Sequence, residues 1–201
     1  FSLSVGKGQP ECVPGARQCD ATGQDVQECN SFGKFEQVTC DYGCMEGVCQ
    51  LPQGEACSTA IVLTPGVPVQ GNLADYSIDH PRTSGSCPNA GSGASSGKDV
   101  VYKVTAQEND IIDVTLDSSF DGVITISGSC DAEDNELGAC LAGRDSGNPE
   151  RLTFAAPADG EYFIVASAWS SFTTNGTFTL TVTVEEPLCI PNTRLGCSAD
   201  G

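Results

Sequence analysis

Between residues 54 and 185 apolar side chains recur at every second position, in short runs broken by clusters of Gly, Asn, Asp, Ser and Pro. A period of two is the mark of a half-buried β-strand. The clearest case is 177–184, where Phe178, Leu180, Val182 and Val184 share one face. Further runs predict strands at 61–63, 68–72, 100–105, 111–116, 122–127, 151–155 and 162–166. No useful length of helical periodicity interrupts them. Short strands at regular spacing with turn residues between them predict an all-β domain, a jelly-roll-like β-sandwich. Residues 83–97 form a long Ser/Gly-rich loop between strands, with Cys87 in it as an anchor.

Residues 11–50 read differently. Six cysteines, Cys12, Cys19, Cys29, Cys40, Cys44 and Cys49, stand among few apolar residues. A segment this short cannot bury enough surface to fold unaided, so covalent staples are expected. Six cysteines allow about fifteen connectivities, and spacing alone does not choose among them. A small hairpin is predicted from 25–29 and 34–39, turning at Asn30-Ser-Phe-Gly33. Zinc is the rival reading. The module has neither paired CxxC knuckles nor a histidine, which argues against it.

The start of the chain recurs near its end. Phe1, Leu3, Val5, Pro10, Cys12, Pro14 and Arg17 return at an offset of 177 as Phe178, Leu180, Val182, Pro187, Cys189, Pro191 and Arg194. After a one-residue slip, Cys19 and Gly23 return as Cys197 and Gly201. Self-similarity at a fixed period is the signature of a repeat architecture. The expected organisation is therefore 1–8 as the last strand of a preceding sandwich with its linker, and 11–50 as a disulfide module. Residues 54–185 would form the sandwich, and 187–201 the start of the next module. Cys189 and Cys197 are expected to belong to that next module, with partners beyond Gly201.

Composition sharpens this picture. Twelve cysteines point to an oxidising compartment, extracellular or on a cell surface. Nine basic residues against 27 acidic ones give a net charge of -18, which repels nucleic acid and anionic membranes. No apolar run is long enough for a helical membrane span. Of the four cysteines of the sandwich, Cys57 is expected to pair with Cys87, and Cys130 with Cys140, the second pair by nearness in sequence across a short loop.

Catalytic constellations are sparse. His80 is the only histidine, and no G-x-S-x-G elbow accompanies it, so it reads as an exposed loop residue. Asp113, Asp117 and Asp121 surround a strand end without marking a cleft. Calcium is the best chemical candidate. Asp131, Glu133 and Asp134, with Asn135 and Glu136, crowd the loop between Cys130 and Cys140, and calcium takes its oxygens from such loops. No cofactor is required by any motif. Trp169 and Phe172, in the loop 167–176, are candidate surface-contact residues, by stacking on sugars or on a protein. Asn175-Gly-Thr177 fits a glycosylation sequon.

Asp99-Val-Val-Tyr-Lys-Val104, Ile111-Ile-Asp-Val-Thr-Leu116, Gly160-Glu-Tyr-Phe-Ile-Val165 and Gly176-Thr-Phe-Thr-Leu-Thr-Val182 together resemble the bacterial pre-peptidase C-terminal domain, over residues 55–185. That resemblance implies a jelly-roll-like sandwich appended to secreted or surface proteins. A related collagenase domain binds collagen and calcium. Asp99, at a strand start, stands where such domains carry acidic residues, and the resemblance makes it a second candidate calcium ligand. The openings C-x-P-x-x-R-x-C at Cys12 and C-x-P-x-x-R-x-x-C at Cys189 resemble cysteine-rich repeats of large surface proteins of Gram-negative bacteria. The combined expectation is a non-enzymatic structural repeat of a long extracellular filament or stalk, whose partners are neighbouring copies joined covalently in tandem. The alternatives are a binding module for collagen, glycan or calcium, and an accessory domain of a secreted enzyme.

Overall fold

A computed structural model describes residues 10–82, 86–88, 95–133 and 135–187. The segment expected at 1–8, and the segment expected at 187–201 beyond its first residue, with Cys189 and Cys197, lie outside the described residues, as does Asp134. The chain divides into two compact units, one ending at Pro52 and one beginning at Gln53.

The first unit is a small disulfide-held module. Strands β1 (Arg17–Cys19), β2 (Val26–Cys29) and β3 (Phe35–Val38) form an antiparallel sheet, followed by the hairpin of β4 (Cys44–Met45) and β5 (Val48–Cys49). Its buried apolar side chains are Val26, Cys29 and Cys40, too few to offset the entropy of ordering the chain. Three disulfides supply the difference: Cys12–Cys29, Cys19–Cys44 and Cys40–Cys49. The turn between β4 and β5 needs a glycine. Gly47 has φ +79°, and a Cβ there would stand 2.9 Å from the Arg17 carbonyl.

The second unit is a two-sheet sandwich. Its strands are β6 (Ile61–Val62), β7 (Val69–Asn72), β8 (Asp99–Ala106), β9 (Ile111–Ser118), β10 (Gly122–Ser127), β11 (Cys130–Asp131), β12 (Glu136–Leu137), β13 (Cys140–Arg144), β14 (Glu150–Ala155), β15 (Gly160–Ala168) and β16 (Thr177–Glu185). One sheet has the order β13-β10-β15-β8-β6 and the other β14-β9-β16-β7. All pairings are antiparallel except β6 with β8. Alternation places Tyr102, Val104, Ile124, Ile126 and Ile164 of one sheet against Ile112, Leu116, Phe178 and Leu180 of the other. Phe178 meets Tyr102 and Phe120 edge to face, at centroid distances of 6.4 and 6.2 Å.

The five-stranded sheet is buried on its outer face as well. Val101, Phe163 and Val165 point outward and form a second apolar cluster with Cys57, flanked by Cys130 and Leu137. This is why β10 is buried along its whole length.

The disulfides of this unit correct the sequence expectation. Cys57 pairs with Cys130, and Cys87 with Cys140, at Cα separations of 5.8 and 5.1 Å. Nearness in sequence failed for a geometric reason. The β11–β12 hairpin sets Cys130 opposite Leu137 rather than Cys140. The Cys57 turn packs on β11, while the segment around Cys87 runs beside β13, where Pro88 accepts the Gly143 N–H at 2.9 Å.

Candidate functional site

The chemistry of the sandwich concentrates on the outer face of its five-stranded sheet, where polar side chains lie under loops. Asp99 opens β8, and only 1% of its surface meets solvent. Register places it opposite Ser167 on β15. One carboxylate oxygen, Oδ2, accepts the backbone N–H groups of Asp79 at 3.2 Å and His80 at 3.1 Å. The other, Oδ1, is buried without a partner. Glu55, also buried, accepts the Ser77 N–H at 3.2 Å, and the Asp99 N–H donates to the Ser77 carbonyl at 3.1 Å. Residues 77–80 are thus held down by two carboxylates.

Three carboxyl groups share this small volume, because the Asp79 side chain hydrogen-bonds Glu55. Burial disfavours charge, and the neighbouring carboxylates disfavour it further. Burial first pushes Asp99 up to about 7, the negative charges of Asp79 and Glu55 add to it, and the two backbone N–H bonds oppose it. Asp79 is pushed up to about 6 by burial and by Glu55. Glu150 opens β14. It is as buried as Asp99, but its carboxylate accepts the N–H groups of Ser146 and Gly147 through both oxygens.

Basic groups line the same layer. The Arg82 Nη2 donates to Ser127 Oγ at 3.0 Å, and Arg82 forms an isolated antiparallel bridge with Ser95. Burial lowers the pKa of both Arg82 and His80, and the Arg82 charge lowers His80 further. His80 Nε2, Arg82 Nε, Ser95 Oγ and Thr125 Oγ1 are, like Asp99 Oδ1, buried without a hydrogen-bond partner. Unpaired buried polar atoms are costly, and such a group marks a place for ordered water.

The sequence expectation of an exposed His80 is therefore corrected: the residue is 8% exposed, because its backbone is anchored to Asp99. This arrangement does not assemble a catalytic triad. Asp99 touches His80 through the backbone amide rather than the ring, and Ser127 Oγ donates to the Gly138 carbonyl. It can hold protons on closely spaced carboxyls.

The remaining candidates are dispersed. Asp131 Oδ1 accepts the Glu133 N–H at 3.0 Å, which closes a turn of the acidic loop. Among the described residues no group of three or more His, Cys, Asp or Glu side chains is placed to hold a metal ion. Asp99 stands in a different part of the layer from that loop. Trp169 is 47% exposed and Phe172 93% exposed, in the connection between β15 and β16. Sequence reasoning missed Glu55, Asp79 and Arg82. Glu55 immediately before the Cys57 turn was the available signal.

No family model matches the chain, and no curated protein matches it. Solved structures do. The pre-peptidase C-terminal domain of a collagenase from Bacillus anthracis is similar at 16% identity and a TM-score of 0.41, over 62% of this chain and 94% of that one. PliG of Aeromonas hydrophila, a periplasmic inhibitor of g-type lysozyme, is similar at 9% identity and a TM-score of 0.38, over 62% of this chain and 96% of that one.

Proposed function

We propose that this chain is a non-catalytic structural module of an extracellular or cell-surface protein, repeated in tandem to form a filament or stalk. The observation that carries this reading is the return of the first residues at an offset of 177. The second copy of that motif, Phe178–Val182, lies within β16, between β9 and β7. Its earlier copy at residues 1–5 carries the same alternation in the sequence. Five disulfides join ten cysteines among the described residues, which suits an oxidising compartment and resists unfolding under load.

In this reading, stacked units form a quasi-one-dimensional array whose main contacts are with neighbouring copies. The net charge of -18 keeps arrays soluble and apart. Calcium enters only as a lateral bridge between acidic surfaces such as the Asp131–Glu133 loop. The second reading, a binding module, is favoured by the exposure of Trp169 and Phe172. Electron microscopy of the native protein tests the first reading. Rods with a regular axial repeat support it, and single compact particles would overturn it.

A further inference from the structure

The outer face of the four-stranded sheet carries a broad groove of about 830 Å³. Its floor is built by three neighbouring strands. Thr179 on β16 stands between Gln70 on β7 and Asp117 on β9. In the next outward row Thr177 stands beside Asn72. Ser119 closes that row, its N–H donating to the Thr177 carbonyl at 2.9 Å and its Oγ accepting the Thr177 N–H at 3.0 Å. Alternation turns Phe178 and Ser118 inward and leaves these six polar side chains on the outside. Strand geometry spaces them about 4.8 Å apart across the sheet and about 7 Å apart along it. Gly71 lets β7 lie directly on the core, since a Cβ there would stand 2.2 Å from the Phe178 ring.

The lining selects a chemical class. It holds amides, hydroxyls and the carboxylates of Asp75 and Asp117, together with the Tyr76 ring, and no cationic side chain. Phosphate, sulfate and nucleic acid would meet two carboxylates with no counter-charge among the lining residues. An apolar ligand would cover polar groups without pairing them, at a net cost. A pyranose ring presents neighbouring hydroxyls that both donate and accept. The Asp117 carboxylate can accept two of them at once, while Gln70, Asn72 and the hydroxyls take the rest. We propose that this groove binds a neutral carbohydrate. The inference does not rest on the tandem array, and either can fail alone.

The test titrates the ¹⁵N-labelled 201-residue protein with cellotriose, maltotriose and chitotriose in turn, following backbone amide shifts. Saturable shifts at Gly71, Asn72, Ser119, Thr177 and Thr179 with at least one sugar are expected. D117N and Q70A, both at exposed positions, should weaken binding, the first about tenfold, the worth of one charge-assisted hydrogen bond, and the second about fivefold, the worth of a neutral one, and leave the rest of the spectrum unchanged. No groove shifts with any of the three sugars at about 20 mM, well above ordinary weak-binding constants, would overturn the proposal. So would binding that survives both substitutions. Groove shifts caused by calcium chloride or by a lysine-rich peptide, with none from the sugars, would identify a cation site and overturn it as well.

Discussion

Replacing Asp99 by Asn removes a buried titratable carboxyl while keeping an oxygen for the Asp79 and His80 N–H groups. The folded chain holds the Asp99 carboxyl at about 7 against an ordinary value of 3.8. A carboxyl raised on folding contributes most below its unfolded pKa, and that contribution is lost as pH climbs through the folded value. At about 1.4 kcal/mol per unit, the loss between pH 4.5 and pH 7.5 is about 3 kcal/mol. D99N lacks this titration. Its Nδ2 takes the place of the partnerless Oδ1 and costs about 1–3 kcal/mol at every pH, so this term cancels in the comparison between the two pH values. Urea unfolding of both proteins at the two pH values measures the difference. The wild-type protein should lose about 3 kcal/mol more than D99N on going from the acidic to the neutral condition. Parallel pH profiles would refute the reasoning. A rise in wild-type stability on adding calcium at pH 7.5, absent in D99N, would refute it too, because the carboxylate would then be an ionised metal ligand.

Other perturbations follow the same logic. C57S/C130S opens a cross-link spanning 73 residues, which by loop entropy costs about 4 kcal/mol, read as a lower urea midpoint. Peptide mapping of the oxidised protein should find Cys57 joined to Cys130 and Cys87 to Cys140; the sequence-neighbour pairs would contradict the fold. F178A empties the contact with Tyr102 and Phe120 and should cost about 3–5 kcal/mol, measured by the same unfolding curve. G71A forces a Cβ to within 2.2 Å of the Phe178 ring and should cost about 1–3 kcal/mol.

Strands with a clean period of two were legible in the sequence, because one of their faces is dry. β16 and β9 are such strands, with Phe178, Leu180 and Val182 and with Ile112, Val114 and Leu116 inward. β13 was not legible. Its residues Cys140-Leu-Ala-Gly-Arg144 show no alternation, and β10 and the segment near Pro88 create the strand by pairing with it. β11 and β12 are too short to show a period. The buried layer was half legible. Asp99 stood out at a strand start, but its meaning depends on Asp79 and His80, which reach it only when the preceding loop folds back. Cysteine pairing failed for the same reason, since loop length says nothing about which loops cover the same face. The groove was invisible because Gln70, Thr179 and Asp117 become neighbours only through the strand order β9-β16-β7.

The central claim is that this chain is one unit of a tandem structural array. The most direct measurement is the mass of the native polypeptide under reducing, denaturing conditions, with its peptides sequenced. The account predicts a chain several times longer than 201 residues, with sandwich and cysteine-module peptides recurring at intervals of about 177. A polypeptide of 201 residues, with a single sandwich, would contradict it.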